Sequence, residues 1–242
     1  MLFSDIYKGK TVLVTGHTGF KGSWLCLWLK KLGAKVIGIG LDPISDKSFY
    51  SINKINEILI DKRFDIRDLE KLKKVIQDLQ PDFVFHLAAQ AIVRRSYLNP
   101  IETWSTNLIG TINVLESMRY VKKKCSCVLI TSDKCYKNNE WIWGYRESDK
   151  LGGSDPYSAS KASSELAIRS YFDSFFRDTE SQVRITSARA GNVIGGGDWS
   201  EDRIVPDCIR AWSNSETVKL RSPNSTRPWQ HVLEPLSGYL SL

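Results

Sequence analysis

No stretch of this 242-residue chain is apolar for long enough to cross a bilayer, and no internal repeat is visible. The opening residues, Met1 to Ile6, lack the basic and apolar blocks of a secretory leader. These absences exclude helical membrane spans, exported proteins and solenoids, and imply a soluble cytoplasmic protein. Cysteine is sparse and odd in number: Cys26, Cys125, Cys127, Cys135 and Cys208 form no Cys-x-x-Cys pair of the kind that holds zinc. Cys125-x-Cys127 leads into an apolar run, where burial is the ordinary fate of a thiol. Reduced thiols and no metal are therefore expected. Histidine is scarcer still. His17 falls in a glycine loop, His86 in an apolar run and His231 beside Trp229 without an evident acidic partner, so no catalytic histidine is assigned. Dense runs of one charge are also missing, although the formal net charge is +7. The tightest cluster, Lys122-Lys123-Lys124, follows a helix and suits its negative end and solvent. Nucleic acid is not expected, and small anionic substrates account for the basic balance equally well.

Hydrophobic residues at 42% and charged residues at 25% are ordinary for a folded globular chain. The length allows one substantial core and part of a second unit. The organising stretch runs from Lys10 to Gly22. A β-branched run leads into Gly16, Gly19 and Gly22, after which Trp24, Leu25, Trp28, Leu29 and Leu32 recur at helical spacing. Strand, glycine turn and helix in that order bring backbone N–H groups and a positive helix end to an anion such as a pyrophosphate. Asp42 closes the next apolar run, Val36 to Leu41, about where an acidic residue meets the ribose hydroxyls of a dinucleotide. That acidic residue points to NAD rather than NADP.

The alternation of strand and helix continues. Ile58 to Phe64 reads as a third strand, and Asp68 as the cap of a helix whose stripe is Leu69, Leu72, Val75, Ile76 and Leu79. Phe83 to Ala89 is nearly continuous in apolar residues, as in a parallel strand buried on both faces, and the small Ala88 and Ala89 leave room for a cofactor. A long helix is expected after Pro100, with Leu108, Ile112, Leu115 and Met118 along one side, then a strand from Cys127 to Thr131. Asp155-Pro156 starts a helix that runs to about Phe176, and Val183 to Ala188 is a further strand. The fold class is α/β, a Rossmann-like doubly wound parallel sheet over residues 1–190. Residues 191–242, rich in Trp, Arg, Pro and Ser, read as the start of a smaller substrate-binding lobe.

Two clusters offer chemistry. Tyr157 and Lys161 lie one helical turn apart on the same face. A phenol titrates near 10, about three units above neutrality, and a nearby cation lowers that barrier. Alone, such a pair is ordinarily a packed tyrosine beside a solvated lysine; behind a glycine-turn unit it is a candidate proton-transfer pair. Thr131-Ser132-Asp133-Lys134 ends a strand at the sheet edge where open α/β proteins bind ligands. It is either a turn or a site, and it assembles a hydroxyl, a carboxyl group and an amine. Trp141 and Trp143 read as packing residues.

The Thr15-Gly16-x-x-Gly19-Phe20-x-Gly22 loop, Asp65-Ile66, His86-Leu87-Ala88-Ala89, Asn107 and Tyr157-x-x-x-Lys161 together resemble the extended short-chain dehydrogenase/reductase family of NAD-dependent nucleotide-sugar epimerases and dehydratases. The resemblance covers essentially the whole chain. Thr131 to Tyr136, Gly197-Asp198-Trp199 and Arg227 to Pro235 most resemble its 4,6-dehydratase branch acting on CDP-linked glucose, in deoxysugar biosynthesis for surface polysaccharide. Epimerases usually carry a small residue at the Asp133 position, and the dTDP-linked branch carries Asp-Glu where this chain has Asp133-Lys134. The resemblance implies Tyr157 as base for the sugar 4-hydroxyl, Lys161 tuning it, and Ser132 bonding the same oxygen. It further implies Asp133 as acid for the departing 6-hydroxyl and Lys134 as base at C5 or as an electrostatic stabiliser. Cofactor contacts carried over are Gly16, Thr18, Gly19, Phe20, Lys21 and Gly22 at the phosphates, Asp42 at the ribose, and Asp65 with Ile66 at adenine. Ala88, Ala89, Gln90 and Asn107 flank or support the site, and Asn192, Arg203 and Arg227 contact substrate. In relatives the chain continues further and two helices, here Asn107 to Met118 and Pro156 to Phe176, pair across a two-fold axis, which implies a homodimer or higher oligomer. Three readings stay open: this dehydratase, another nucleotide-sugar enzyme such as an epimerase, and an NAD-binding module without turnover.

Overall fold

The computed structural model describes residues 2–242. Strand β1 (Thr11–Thr15) turns at Gly16 into helix α1 (Phe20–Lys31) and returns as β2 (Lys35–Gly40). A short helix α2 (Phe49–Ile52) precedes β3 (Ile60–Arg63), α3 (Leu69–Leu79) and β4 (Phe83–His86). Helices α4 (Val93–Leu98), α5 (Pro100–Trp104) and α6 (Gly110–Met118) lead to β5 (Cys125–Ile130), and α7 (Pro156–Tyr171) leads to β6 (Val183–Ala188). The six strands pair in parallel in the order β3-β2-β1-β4-β5-β6. This is the doubly wound arrangement expected from the sequence. Its strand order reverses between β1 and β4, and such a switch point opens a crevice at the carboxyl ends of the strands.

Alternation along each strand divides the core between the two sheet faces. Val12, Val14, Phe85, Val128 and Ile130 pack with Leu25, Cys26 and Leu29 of α1. Leu13, Ile37, Ile39, Val84, Cys127 and Leu129 pack with Leu72 and Ile76 of α3, Leu115 and Met118 of α6, and Ile168 of α7. Successive strand side chains point to opposite faces, so one apolar run serves both layers. The buried thiols sit in this packing, and burial pushes Cys125 and Cys135 up to about 12, which leaves them unreactive. No helix among the described residues is long and apolar enough to cross a membrane.

The caps follow local chemistry. Asp68 accepts the Lys71 N–H at 3.1 Å at the head of α3, and Asp155 accepts the Ser158 N–H at 2.9 Å ahead of Pro156 at the head of α7. Several boundaries differ from the sequence reading: β4 ends at His86 rather than Ala89, and α7 gives way to a π-type turn (Phe172–Phe176) after Tyr171. β3 is shorter, spanning Ile60–Arg63, and β5 starts two residues earlier, at Cys125. The helix expected after Pro100 is divided into α5, a π-type turn (Ser105–Ile109) and α6. The turn lies at Asn107, whose Nδ2 donates to Gln90 O at 3.0 Å and to Ser160 Oγ at 2.9 Å, so side-chain bonding there competes with regular helix.

Beyond β6, β7 (Asn192–Ile194) and β8 (Trp229–His231) form a separate parallel pair around α8 (Ile204–Ser213). The last helix, α9 (Leu233–Ser241), comes back to the first sheet face. Leu236, Tyr239 and Leu240 join the α1 core, and Tyr7 donates to Leu240 O at 2.8 Å.

His86 ties three elements together. Its Nδ1 lies 2.7 Å from Thr15 Oγ1 on β1 and its Nε2 3.1 Å from Thr111 Oγ1 on α6. Burial first, and the charge of Lys161 second, lower its pKa from 6.5 to about 3. The unfolded chain therefore binds a proton that the folded chain refuses, and the stability present above pH 6.5 is lost as pH falls toward 3. Melting temperature measured across this interval should fall steeply in the parent, and less steeply in His86→Gln, which carries no titrating ring.

Candidate active site

The glycine turn is set by space. Gly16 adopts a φ of 73°, and a Cβ there would lie 2.7 Å from Ala88 N. At Gly22 a Cβ would lie 2.0 Å from Gly16 O. The turn thus closes against the end of β4 and against its own helix, as a dinucleotide fingerprint requires. Gly19 caps α1 in extended conformation without a side-chain hydrogen bond, so no side chain competes for the N–H groups of the first turn. Gly16, Thr18, Gly19, Phe20 and Gly22, walled by Ala88 and Ala89, fit the pyrophosphate of a dinucleotide.

Lys21 lies in the first turn of α1, and its ammonium donates to Tyr239 Oη at 3.1 Å and lies 5.5 Å from the centre of that ring. Burial, then the nearby charges of Lys161 and Arg203, lower its pKa to about 7, against the opposing pull of Asp133.

Other cofactor positions are more mixed. The Asp42 carboxylate is 93% exposed and 3.5 Å from Arg63. Asp65 is held by Arg67 at 2.6 Å, and Ile66 is a core side chain beneath Gly110, leaving only its backbone for a base. The Gln90 side chain turns away from the crevice, donating to Thr103 Oγ1 at 2.9 Å and Ile92 O at 3.1 Å. Asn107 is the buried clamp between this loop and α7, accepting from Gln90 N at 2.8 Å.

The reactive groups come together where β5 ends and α7 begins. Ser132 donates to Asp133 Oδ1 at 3.0 Å and accepts from Lys134 N at 3.2 Å. Tyr157 and Lys161 are both buried, one turn apart. The Lys161 ammonium donates to Ile130 O at 3.2 Å, and burial lowers its pKa to about 8. Tyr157 is held above the ordinary phenol value, because burial outweighs the opposing pull of Ser132 and Arg203. Arg203 is the cation that pulls the phenol down against burial. Lys134 is partly exposed at the rim.

Of the substrate positions, Arg203 is drawn into this cluster. It precedes α8, its Nε lies 3.6 Å from Asp198 Oδ2, and that buried nitrogen has no hydrogen-bond partner, as for a donor awaiting an anion. Asn192 opens β7, its N–H bonded to Pro228 O at 3.1 Å. Arg227 is not brought in: it is exposed, with Nη1 donating to Thr226 O at 2.6 Å. Trp141 and Trp143 do not pack in the core either. Trp143 is 69% exposed, and Trp141, 43% exposed, lies against the ring of Tyr145, which stacks on Tyr136.

Three features lie outside the sequence reading. His17 is fully buried and bonded through Nε2 to Asp61 Oδ1 at 2.8 Å, its ring filling the space above Gly38 and Gly40. Tyr239 arrives from α9 with no sequence signal. Glu165 and Arg189 form a buried ion pair at 2.9 Å, and a carboxylate four residues past Lys161 on an otherwise buried helix face was the available clue.

Comparison with known proteins agrees with this geometry. The family model described as GDP-mannose 4,6 dehydratase matches residues 13–240. A CDP-glucose 4,6-dehydratase from Salmonella typhimurium is 51% identical over 243 residues, covering 99% of this chain and 68% of that protein. An epimerase from Methanothermobacter thermautotrophicus superposes with a TM-score of 0.84 at 29% identity, over 98% of this chain and 68% of its own. A double mutant of a dTDP-glucose 4,6-dehydratase from Streptomyces venezuelae, solved with NAD bound, gives 0.78 at 25% identity, over 95% and 70%. The chain spans about two thirds of the length of these relatives. With a dinucleotide cradle, a Tyr-x-x-x-Lys pair at the crevice and a family model spanning nearly every residue, the chain belongs to the GDP-mannose 4,6-dehydratase family, within the extended short-chain dehydrogenases/reductases.

Proposed function

We propose that the chain acts as an NAD-dependent 4,6-dehydratase of CDP-glucose. The observation that carries this reading is the placement of Asp133 and Lys134 beside Ser132, Tyr157 and Lys161 at one strand end, which adds an acid and an amine to an oxidoreductase pair. The 51% identical relative of that activity supports the substrate.

Gly16, Thr18, Gly19, Phe20 and Gly22 would hold the phosphates of NAD at the head of α1. Bound there, NAD would supply the hydride acceptor for sugar C4 and the hydride donor for C6. The protein's own groups do the rest. Tyr157 accepts the 4-hydroxyl proton, and Ser132 holds the same oxygen. The Arg203 charge and the Ser132 bond favour the phenolate that must be present to take this proton, which eases the cost of ionising a buried phenol. The C4 ketone acidifies the C5 hydrogen, and Lys134 removes that proton or stabilises the enolate. Asp133 delivers a proton to the departing 6-hydroxyl, so water leaves. Once C6 has gained its hydride, C5 takes a proton back, and the proton left on Tyr157 passes through solvent to restore Asp133, so the sum is loss of one water without net oxidation. Arg203 supplies a forked donor for the diphosphate.

Purified protein given CDP-glucose and NAD should yield a 4-keto-6-deoxy product, seen by its absorbance in alkali, with no net NADH. A product that keeps its 6-hydroxyl would make the chain an epimerase instead. Asp133→Asn should lower kcat by about 100-fold or more while leaving C4 oxidation intact, so that NADH absorbance accumulates in a single turnover. Lys134→Ala should slow exchange of the C5 proton with solvent, read by mass spectrometry, and a normal exchange rate would end its role as base.

We also infer that two copies pair through α5 and α7, rather than through the segment from Asn107 to Met118, whose α6 residues are mostly buried within the protein. Helices α5 and α7 pack together and carry exposed apolar side chains, Ile101 at 80% and Leu166 at 62%. Sedimentation should give a dimer for the parent and a monomer for the Ile101→Glu, Leu166→Glu double variant.

A further inference from the structure

Behind the reactive groups lies a carboxylate that the mechanism does not use. Glu165 is buried on α7, one turn beyond Lys161. Its two oxygens accept Arg189 Nε at 3.0 Å and Nη2 at 2.9 Å, Ser187 Oγ at 3.1 Å, and the hydroxyl of Thr131. Four donors from two strand ends thus converge on one helix side chain. Thr131 immediately precedes Ser132 and Asp133, and the backbone of this segment is held alongside Arg189, with Thr131 N bonded to Ala188 O at 2.9 Å and Asp133 N to Ala190 O at 3.2 Å. On its outer side Arg189 lies 4.7 Å from the Tyr136 ring, which stacks on Tyr145, and it donates to Glu147 O at 3.3 Å. The pair therefore ties α7, which carries Tyr157 and Lys161, to the segment after β5, which carries Ser132 and Asp133.

We propose that Glu165 and Arg189 are positioning residues, whose buried ion pair anchors Ser132 and Asp133 through Thr131 and balances the charge around the Lys161 ammonium. Glu165 favours the protonated Lys161 against burial, and Arg189, bonded to both carboxylate oxygens, opposes that field. The other groups coupled to Lys161 are Lys21 from α1, His86 from β4 and Cys135 after β5, with Tyr157 one turn before it on α7. His86 is neutral and Cys135 is held as a thiol, so the balance rests on Lys21 and the pair. Burial works against the ionised form of Glu165, and the bonds from Arg189 and Thr131 more than offset it, so the carboxylate stays charged through the working range.

The pair makes opposite demands on its two members. Glu165→Gln leaves Arg189 as an unbalanced cation and should move the Lys161 titration to lower pH by about one unit; Arg189→Met leaves the carboxylate and should move it to higher pH by about as much. The double variant should return the midpoint to that of the parent, yet keep a kcat lowered about tenfold, because the anchor on Thr131 is gone. Glu165→Asp, which keeps the charge, should keep the parent midpoint. The titration is read on the full chain by competitive acetylation of Lys161 across pH, quantified by peptide mass spectrometry, without substrate. This readout stands even if CDP-glucose is not turned over; only the kcat arm rests on the dehydratase reading. Removing one partner of a buried pair is strongly destabilising. Arg189 is 17% exposed, so water can reach the freed carboxylate, and this variant gives the sign should Glu165→Gln not fold. Midpoints that move in opposite directions support the proposal, as does an upward move in Arg189→Met alone. Movement of both single variants in one direction, or no movement in Arg189→Met, overturns it.

Discussion

The structure depends on a contact that has no room for a side chain. The turn after β1 passes so close to the end of β4 that a Cβ at Gly16 would meet Ala88 N at 2.7 Å, and so close to α1 that one at Gly22 would meet Gly16 O at 2.0 Å. Close packing of backbone on backbone fixes where α1 begins, and hence where its free N–H groups point. It also fixes the separation of β1 and β4, the two strands between which the sheet reverses its winding. His86 then reads that separation from inside, bridging Thr15 and Thr111 with a ring kept neutral by burial. The crevice floor is thus held by glycine contacts from one side and by a histidine clamp from the other.

Charge is the second constraint, and it acts through burial. Lys21, Lys161 and Arg203 converge on the same crevice, opposed within it by Asp133. Gathering cations out of water is costly, and the lowered values at Lys21 and Lys161 record that cost. Such an excess suits an anionic ligand, which would restore the balance that the protein leaves incomplete, and the unpartnered Nε of Arg203 points to the same need. Glu165 shows the contrasting solution. There the compensation is internal, from Arg189, Thr131 and Ser187, and the group takes no part in binding.

These two constraints explain what sequence could and could not show. Strand alternation, the Asp68 and Asp155 caps, and the Tyr157 to Lys161 spacing are legible because each depends on neighbours within a few residues. The glycine turn is legible for the same reason. The direction of Lys21 is not, since it is decided by Tyr239, which lies 218 residues further along the chain. Gln90 has the right position but turns its amide into α5, drawn by Thr103. The spacing of Leu108, Ile112, Leu115 and Met118 describes an unbroken helix, and only the bonding of Asn107 to Gln90 and Ser160 reveals why it is interrupted. Motif matching placed Arg203 and Arg227 together; packing placed one in the crevice and left the other exposed.

The same contrast separates the cofactor site from the chemistry. A cradle made of backbone atoms carries no information about the reaction, because any dinucleotide-dependent chemistry can use it. The Tyr157 and Lys161 pair narrows the reaction to hydride exchange at a carbon bearing a hydroxyl. What distinguishes elimination from simple oxidation is the need to move two further protons, one from carbon and one to a leaving oxygen, and these require an acid and a base that an epimerase can do without. In the proposed reaction Asp133 and Lys134 would meet that need from one short turn, directly after a strand whose following residue, Thr131, bonds to Glu165 of α7. Reaction identity in this chain therefore rests on the end of β5, whereas the glycine turn that organises the fold specifies only the cofactor.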